Sequence, residues 1–120
     1  MGFVSCQPET FAAAVGANLS EFIDLSAIHC DGWGISAIEH SAKKTQLNRA
    51  AEIARTSPDF ESAITNTNTD GALLHLRWAT SGIPVSENNS HPFMHDGYTF
   101  IHNGAIYPKD ALDEYIADQL

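Results

Sequence analysis

Two apolar, β-prone runs dominate the pattern of hydrophobic and polar positions. Gly71 to Ala79 carries Ala72, Leu73, Leu74, Leu76 and Trp78, and Tyr98 to Ile101 is aromatic or β-branched, so both predict strands of a covered sheet. The stretch between them is crowded with Asn, Ser, His and Pro and predicts a loop. Upstream, Met1 to Cys6 reads as a short strand. Gln7 to Ile28 reads as helical: Pro8 suits a first turn, Phe11, Ala14 and Val15 recur at helical spacing, and Gly16 ends that piece. Ser20 then caps a second piece holding Phe22 and Ile23. Ile35 to Ile38 predicts a strand, and the polar segment His40 to Asn48, with Lys43 and Lys44, predicts a solvated hairpin loop. Ser57-Pro58-Asp59-Phe60 is a helix start, with Ser57 as cap and Asp59 and Glu61 at the positive end of the dipole. Phe60, Ala63 and Ile64 face inward, and Thr65 to Asp70 breaks the helix. Pro108 opens a last amphipathic helix with Leu112, Tyr115, Ile116 and Leu120 on one face.

Composition narrows the partners. The 120 residues, 43% hydrophobic and 18% charged, suit one small domain spanning 1–120, with a modest core. A net charge of −9 with six Lys and Arg in total argues against nucleic acid or an anionic membrane, because phosphate binding needs clustered cations. A small-molecule partner is expected instead. No apolar run approaches membrane-spanning length, and the first residues lack the charged and apolar regions of a signal peptide. A cytoplasmic, reducing setting follows as the expectation. Cys6 and Cys30 would then be free thiols, buried by default.

Each apolar run closes on polar chemistry. The first ends in Arg77-Trp78-Ala79-Thr80 and the second in His102-Asn103-Gly104. An arginine in a partly apolar setting holds a carboxylate bidentately, and Thr80 can add a hydroxyl contact. An Asn amide beside a Gly N–H can aim two donors at one oxygen, the layout of an oxyanion hole. Asn103-Gly104 also fits a plain hairpin turn. The six histidines invite a metal site, with His91 and His95 four apart and His75 nearby, but no paired-Cys or HExxH signature accompanies them. A cysteine hydrolase pairing Cys30 with His75 or His102 is a further rival, for which the sequence fixes no geometry.

Arg77-Trp78-Ala79-Thr80-x-Gly82, Asn89-x-His91-Pro92-Phe93 and His102-Asn103-Gly104, in that order, resemble the class II glutamine amidotransferase domain, an N-terminal-nucleophile hydrolase family. His29-x-Asp31-Gly32-Trp33-Gly34 is similar to a segment of its smaller stand-alone branch, which includes γ-glutamyl amide hydrolases. The resemblance implies an α+β fold, the four-layer α/β/β/α sandwich, of which this chain would be the N-terminal part. It implies hydrolysis of glutamine or another γ-glutamyl amide to glutamate plus ammonia or amine, with no cofactor and no metal. Arg77 and Thr80 would bind the substrate, and Asn103 and Gly104 would stabilise the oxyanion. Asp31, Trp33, Asn89 and His91 would organise the site; for Trp33 a place in the core beside a tight turn explains the residues equally well.

One departure stands out. Family members begin with the nucleophilic cysteine, in a context ending Gly-[Tyr/Phe]-Val-Ser. Gly2-Phe3-Val4-Ser5 matches that ending, which would place the nucleophile upstream of Met1, and Cys6 is not assigned its role. An inactive relative, acting as a ligand-binding or assembly module, is the alternative. A sandwich missing its C-terminal half would expose an apolar face through which copies could associate.

Overall fold

Strand β4, Thr69–Leu76, runs through a four-stranded antiparallel sheet in the computed structural model, which describes residues 1–39, 41, 43–105 and 107–118. Its neighbours are β1, Gly2–Glu9, and β2, Trp33–Glu39, and the outer strand beyond β2 is β3, Lys44–Ala50. The register pairs Trp33 with Leu76, Ile35 with Leu74 and Ala37 with Ala72. Because side chains alternate along a strand, these six share one face. Three helices cover it: α1 at Phe11–Val15, α2 at Asn18–Asp24 and α3 at Pro58–Asn66. They bring Phe11, Leu19 and Phe60 into the same core. Phe60 meets Trp33 edge-on with ring centroids 5.3 Å apart.

The opposite face of the sheet carries a second layer. A small hairpin, β5 (Phe93–His95) and β6 (Tyr98–Phe100), lies over β2 and β3. Ser36 Oγ donates to Thr99 Oγ1 at 3.1 Å, Thr45 Oγ1 to the Gly97 carbonyl at 3.0 Å, and Arg49 Nη1 to the Ser90 carbonyl at 3.1 Å. Gly34 is needed here for space: a Cβ on it would lie 1.9 Å from the His91 carbonyl oxygen. Helices, sheet and hairpin thus stack in order, and the architecture is mixed α+β with antiparallel sheets, as the resemblance implies. The last helix, α4 at Lys109–Ala117, leaves Tyr115 and Ile116 exposed. The position of Leu120 on that helix lies outside the described residues.

Several local expectations need correction. The first helix begins at Phe11, not near Gln7, because Thr10 supplies the cap through its hydroxyl to the Ala13 N–H, while Glu9 still pairs with Thr69. Pro8 sits instead in the edge strand β1, the kind of strand in which a missing N–H is tolerated. Ser20 is inside α2, donating to the Ala17 carbonyl at 3.0 Å. The segment expected to be a solvated loop is mostly β3, an edge strand in which Thr45, Leu47 and Arg49 are the half-buried alternates; His40, where that loop was expected to begin, lies outside the described residues. The hairpin turn falls on Asp96-Gly97, both with positive φ (49° and 82°), and not on Asn103-Gly104. Cys6 and Cys30 are both exposed. Ser57 behaves as expected, accepting the Phe60 N–H at 3.0 Å.

Candidate functional site

Arg77 continues the line of β4 into a cavity of about 980 Å³. Arg77, Thr80, Asn89, His91, Asn103 and Gly104 all line it, so the sequence-distant motifs converge. His29, His75, Trp78 and His102 complete much of the wall. None of the described lining residues is Asp or Glu. In a chain of net charge −9 that is a local reversal, and it favours an anionic ligand.

Arg77 is 5% exposed. Its Nη2 donates to the Pro84 carbonyl at 3.1 Å and its Nη1 reaches the Asp31 carbonyl at 3.4 Å. Among the described residues no carboxylate pairs with it. A cation held out of water with only carbonyl partners keeps spare donors and an uncompensated charge. Asn89 Nδ2 donates to the same Pro84 carbonyl at 3.0 Å, so it braces the loop that holds Arg77.

Asp31 lies outside the cavity lining and acts on its frame. Its N–H donates to the Arg77 carbonyl at 3.0 Å, the Arg77 N–H donates to the Gly32 carbonyl at 2.8 Å, and its carboxylate accepts the Ala79 N–H at 2.8 Å. Trp33 is on the far face of the sheet, 2% exposed in the core against Phe60. Trp78 is exposed at the rim, edge-on to His29 at 5.8 Å.

Three imidazoles line up behind the site. The His91 ring lies 4.4 Å from His75 and 4.7 Å from His102, with Phe93 at 4.4 Å. Both His91 nitrogens are buried without a partner among the described residues. Burial, then the neighbouring His75, His102, Arg77 and Arg49, pushes its pKa down to about 4, so the ring is neutral at pH 7. Burial also lowers His75, opposed by its hydrogen bond to the Asn103 side chain and by the nearby His102 backbone. His75 Nε2 and Asn103 Oδ1 are 3.2 Å apart, a contact that spacing alone does not reveal. Gly104 has a φ of 125°, and a Cβ on it would meet nothing within 4 Å, so glycine is required there by backbone conformation and not by space.

The rival arrangements are not assembled. His95 stands exposed on the hairpin beside Asp96 and does not line the cavity with His75 and His91, and among the described residues no group of three His, Cys, Asp or Glu could hold a metal ion. Cys30 does not line the cavity that holds His75 and His102. No helix among the described residues is long and apolar enough to cross a membrane.

Comparison with known proteins shows the family. The family model described as "Glutamine amidotransferases class-II" matches residues 13–117. Glutamine–fructose-6-phosphate aminotransferase (isomerizing) of Vibrio cholerae is 30% identical over 89 residues, 74% of this chain. The Mesorhizobium japonicum enzyme of the same name is 34% identical over 91 residues, 73% of this chain. In both comparisons the match covers 14% of the longer protein.

Proposed function

Since the chain belongs to the class II glutamine amidotransferases, we propose that its cavity binds glutamine or another γ-glutamyl amide and supports hydrolysis to glutamate plus ammonia or amine. The buried guanidinium of Arg77, with no carboxylate partner among the described residues, carries this reading. It is matched to the substrate α-carboxylate, and Thr80 adds a hydroxyl at the same wall. The matched relatives are named for glutamine and for fructose 6-phosphate; only glutamine is carried over here.

Asn103 Nδ2 and the Gly104 N–H are the donors for the oxyanion that forms when the amide carbon is attacked. The nucleophile in this reading is a cysteine ahead of Met1. Gly2 pairs with Leu73 and Phe3 with Ala72, so a residue preceding Met1 in the same antiparallel register runs alongside His75 and Arg77, toward the cavity. The thiolate adds to the carboxamide carbon, the free α-amino group of the same residue takes and returns the proton, and the amine leaves. Water then releases glutamate from the thioester. Asp31, Asn89 and His91 hold the frame, and Trp33 supports it from the core.

The test is glutamate release from glutamine by the full-length native protein. Arg77→Ala is expected to lower kcat/KM by about 100-fold or more, from loss of a buried charge pair with the ligand. Hydrolysis that survives Arg77→Ala unchanged would show that the carboxylate is bound elsewhere.

A further inference from the structure

Asn103 lies beyond β6, in a segment with no ladder to hold it, and the torsion that turns a side-chain amide is broad. Yet an oxyanion donor must be aimed before the charge develops. His75 is the neighbour that can aim it. Its ring is fixed on the central strand β4, 8% exposed, with Nε2 at 3.2 Å from Asn103 Oδ1. We propose that His75 is a positioning residue: its Nε2–H holds Asn103 Oδ1 and so turns the Asn103 amide nitrogen toward the reacting oxygen. This rests on the hydrolytic reading above.

The proton placement follows from the partners. A carboxamide oxygen only accepts, so Nε2 must carry the hydrogen. The reverse arrangement, with the amide flipped, would leave Nδ1–H buried with no acceptor, since Nδ1 has no partner among the described residues. A bare buried donor is the rarer and costlier outcome. His102, which also faces His91, provides no such contact to the Asn103 side chain.

Two measurements on the full-length native protein decide the matter. The imidazole nitrogen shifts of His75 should report the Nε2–H tautomer at pH 7, and the side-chain amide of Asn103 should give one sharp, slowly exchanging pair that broadens in His75→Leu and is restored in His75→Gln. An Nδ1–H tautomer, or an Asn103 amide indifferent to His75→Leu, overturns the proposal even if the protein hydrolyses nothing. With glutamine as substrate, His75→Leu should lower kcat by about 10-fold with KM within about two-fold, as loss of a supporting contact does. His75→Gln should recover most of that. In an Asn103→Ala background the His75→Leu change should have almost no further effect; an equal loss there would also overturn the proposal. If the wild-type protein releases no glutamate, the hydrolytic reading fails and the tautomer and amide spectra still judge the positioning contact. Should His75→Leu not fold, the tautomer in the wild-type protein and the His75→Gln kinetics keep the proposal exposed to failure.

Discussion

The two faces of β4 are both largely buried and chemically different. Ala72, Leu74 and Leu76 face the helices, with Leu74 fully buried, while Leu73, His75 and Arg77 face the hairpin layer and the cavity, with Arg77 only 5% exposed. Burial does not separate a stabilising residue from a working one; partners do. The helix side is closed by apolar contact, with Trp33 Nε1 its one unpartnered buried side-chain atom among the described residues. On the other side sit a guanidinium without a carboxylate and three of the four buried side-chain atoms that lack a partner among the described residues, on His75 and His91. Polar groups left incomplete in this way stabilise the fold little and are available to a ligand.

Three changes bear on that contrast. Leu74→Ala should have the largest effect on stability, a loss of about 2–5 kcal/mol in denaturant unfolding, because it removes packed methyl groups from a closed core. Gly34→Ala should lose about 1–3 kcal/mol, since the added methyl must displace the His91 carbonyl that a Cβ would meet at 1.9 Å; the same shift should impair glutamine hydrolysis. Arg77→Met should change stability by about 1 kcal/mol or less, in either direction, while removing the carboxylate site. A destabilisation as large as that of Leu74→Ala would mean that the guanidinium belongs to the structural side of the strand after all.

A further expected effect is on pH dependence. The folded pKa of His91, about 4, lies below its ordinary value of 6.5. The unfolded chain therefore takes up the proton first as pH falls, so the contribution of the neutral ring is fully present above about pH 6.5 and is lost on the way down to about pH 4. Urea midpoints measured from pH 8 to 4 should fall across that window and change little from pH 8 to 7. His91→Gln should flatten the curve between pH 6.5 and 4, and an unaltered curve would show that the ring is not held neutral by burial.

The sequence made the convergence of Arg77, Thr80, Asn89 and His91 with Asn103-Gly104 legible because each motif closes or follows an apolar run, and strand ends are where a sheet delivers side chains to a site. The β5–β6 hairpin was legible only in part: the Tyr98–Ile101 run predicts β6, while β5 and the turn between them read as loop. Its strands are only three residues long, too short to display alternation, although Asp96-Gly97 is a strong turn signal on its own. β3 was hidden by chemistry: its half-buried alternates are Thr45, Leu47 and Arg49, of which only Leu47 is aliphatic. The layer on that side is wet, and a hydrophobic period cannot report a polar contact. His75 was invisible as a partner of Asn103 for a related reason. It sits among leucines, and only tertiary folding shows what its ring nitrogen meets.

Asp31 binds the exit of β4 by backbone and carboxylate together, to Arg77 and to Ala79. That exit has no strand ladder beyond Leu76, yet it is fixed before any ligand arrives. The loss of conformational freedom that a mobile arginine loop would suffer on capturing a carboxylate has thus already occurred during folding. Affinity at this wall then reflects the strength of the contacts themselves, with little subtracted for ordering the chain that makes them.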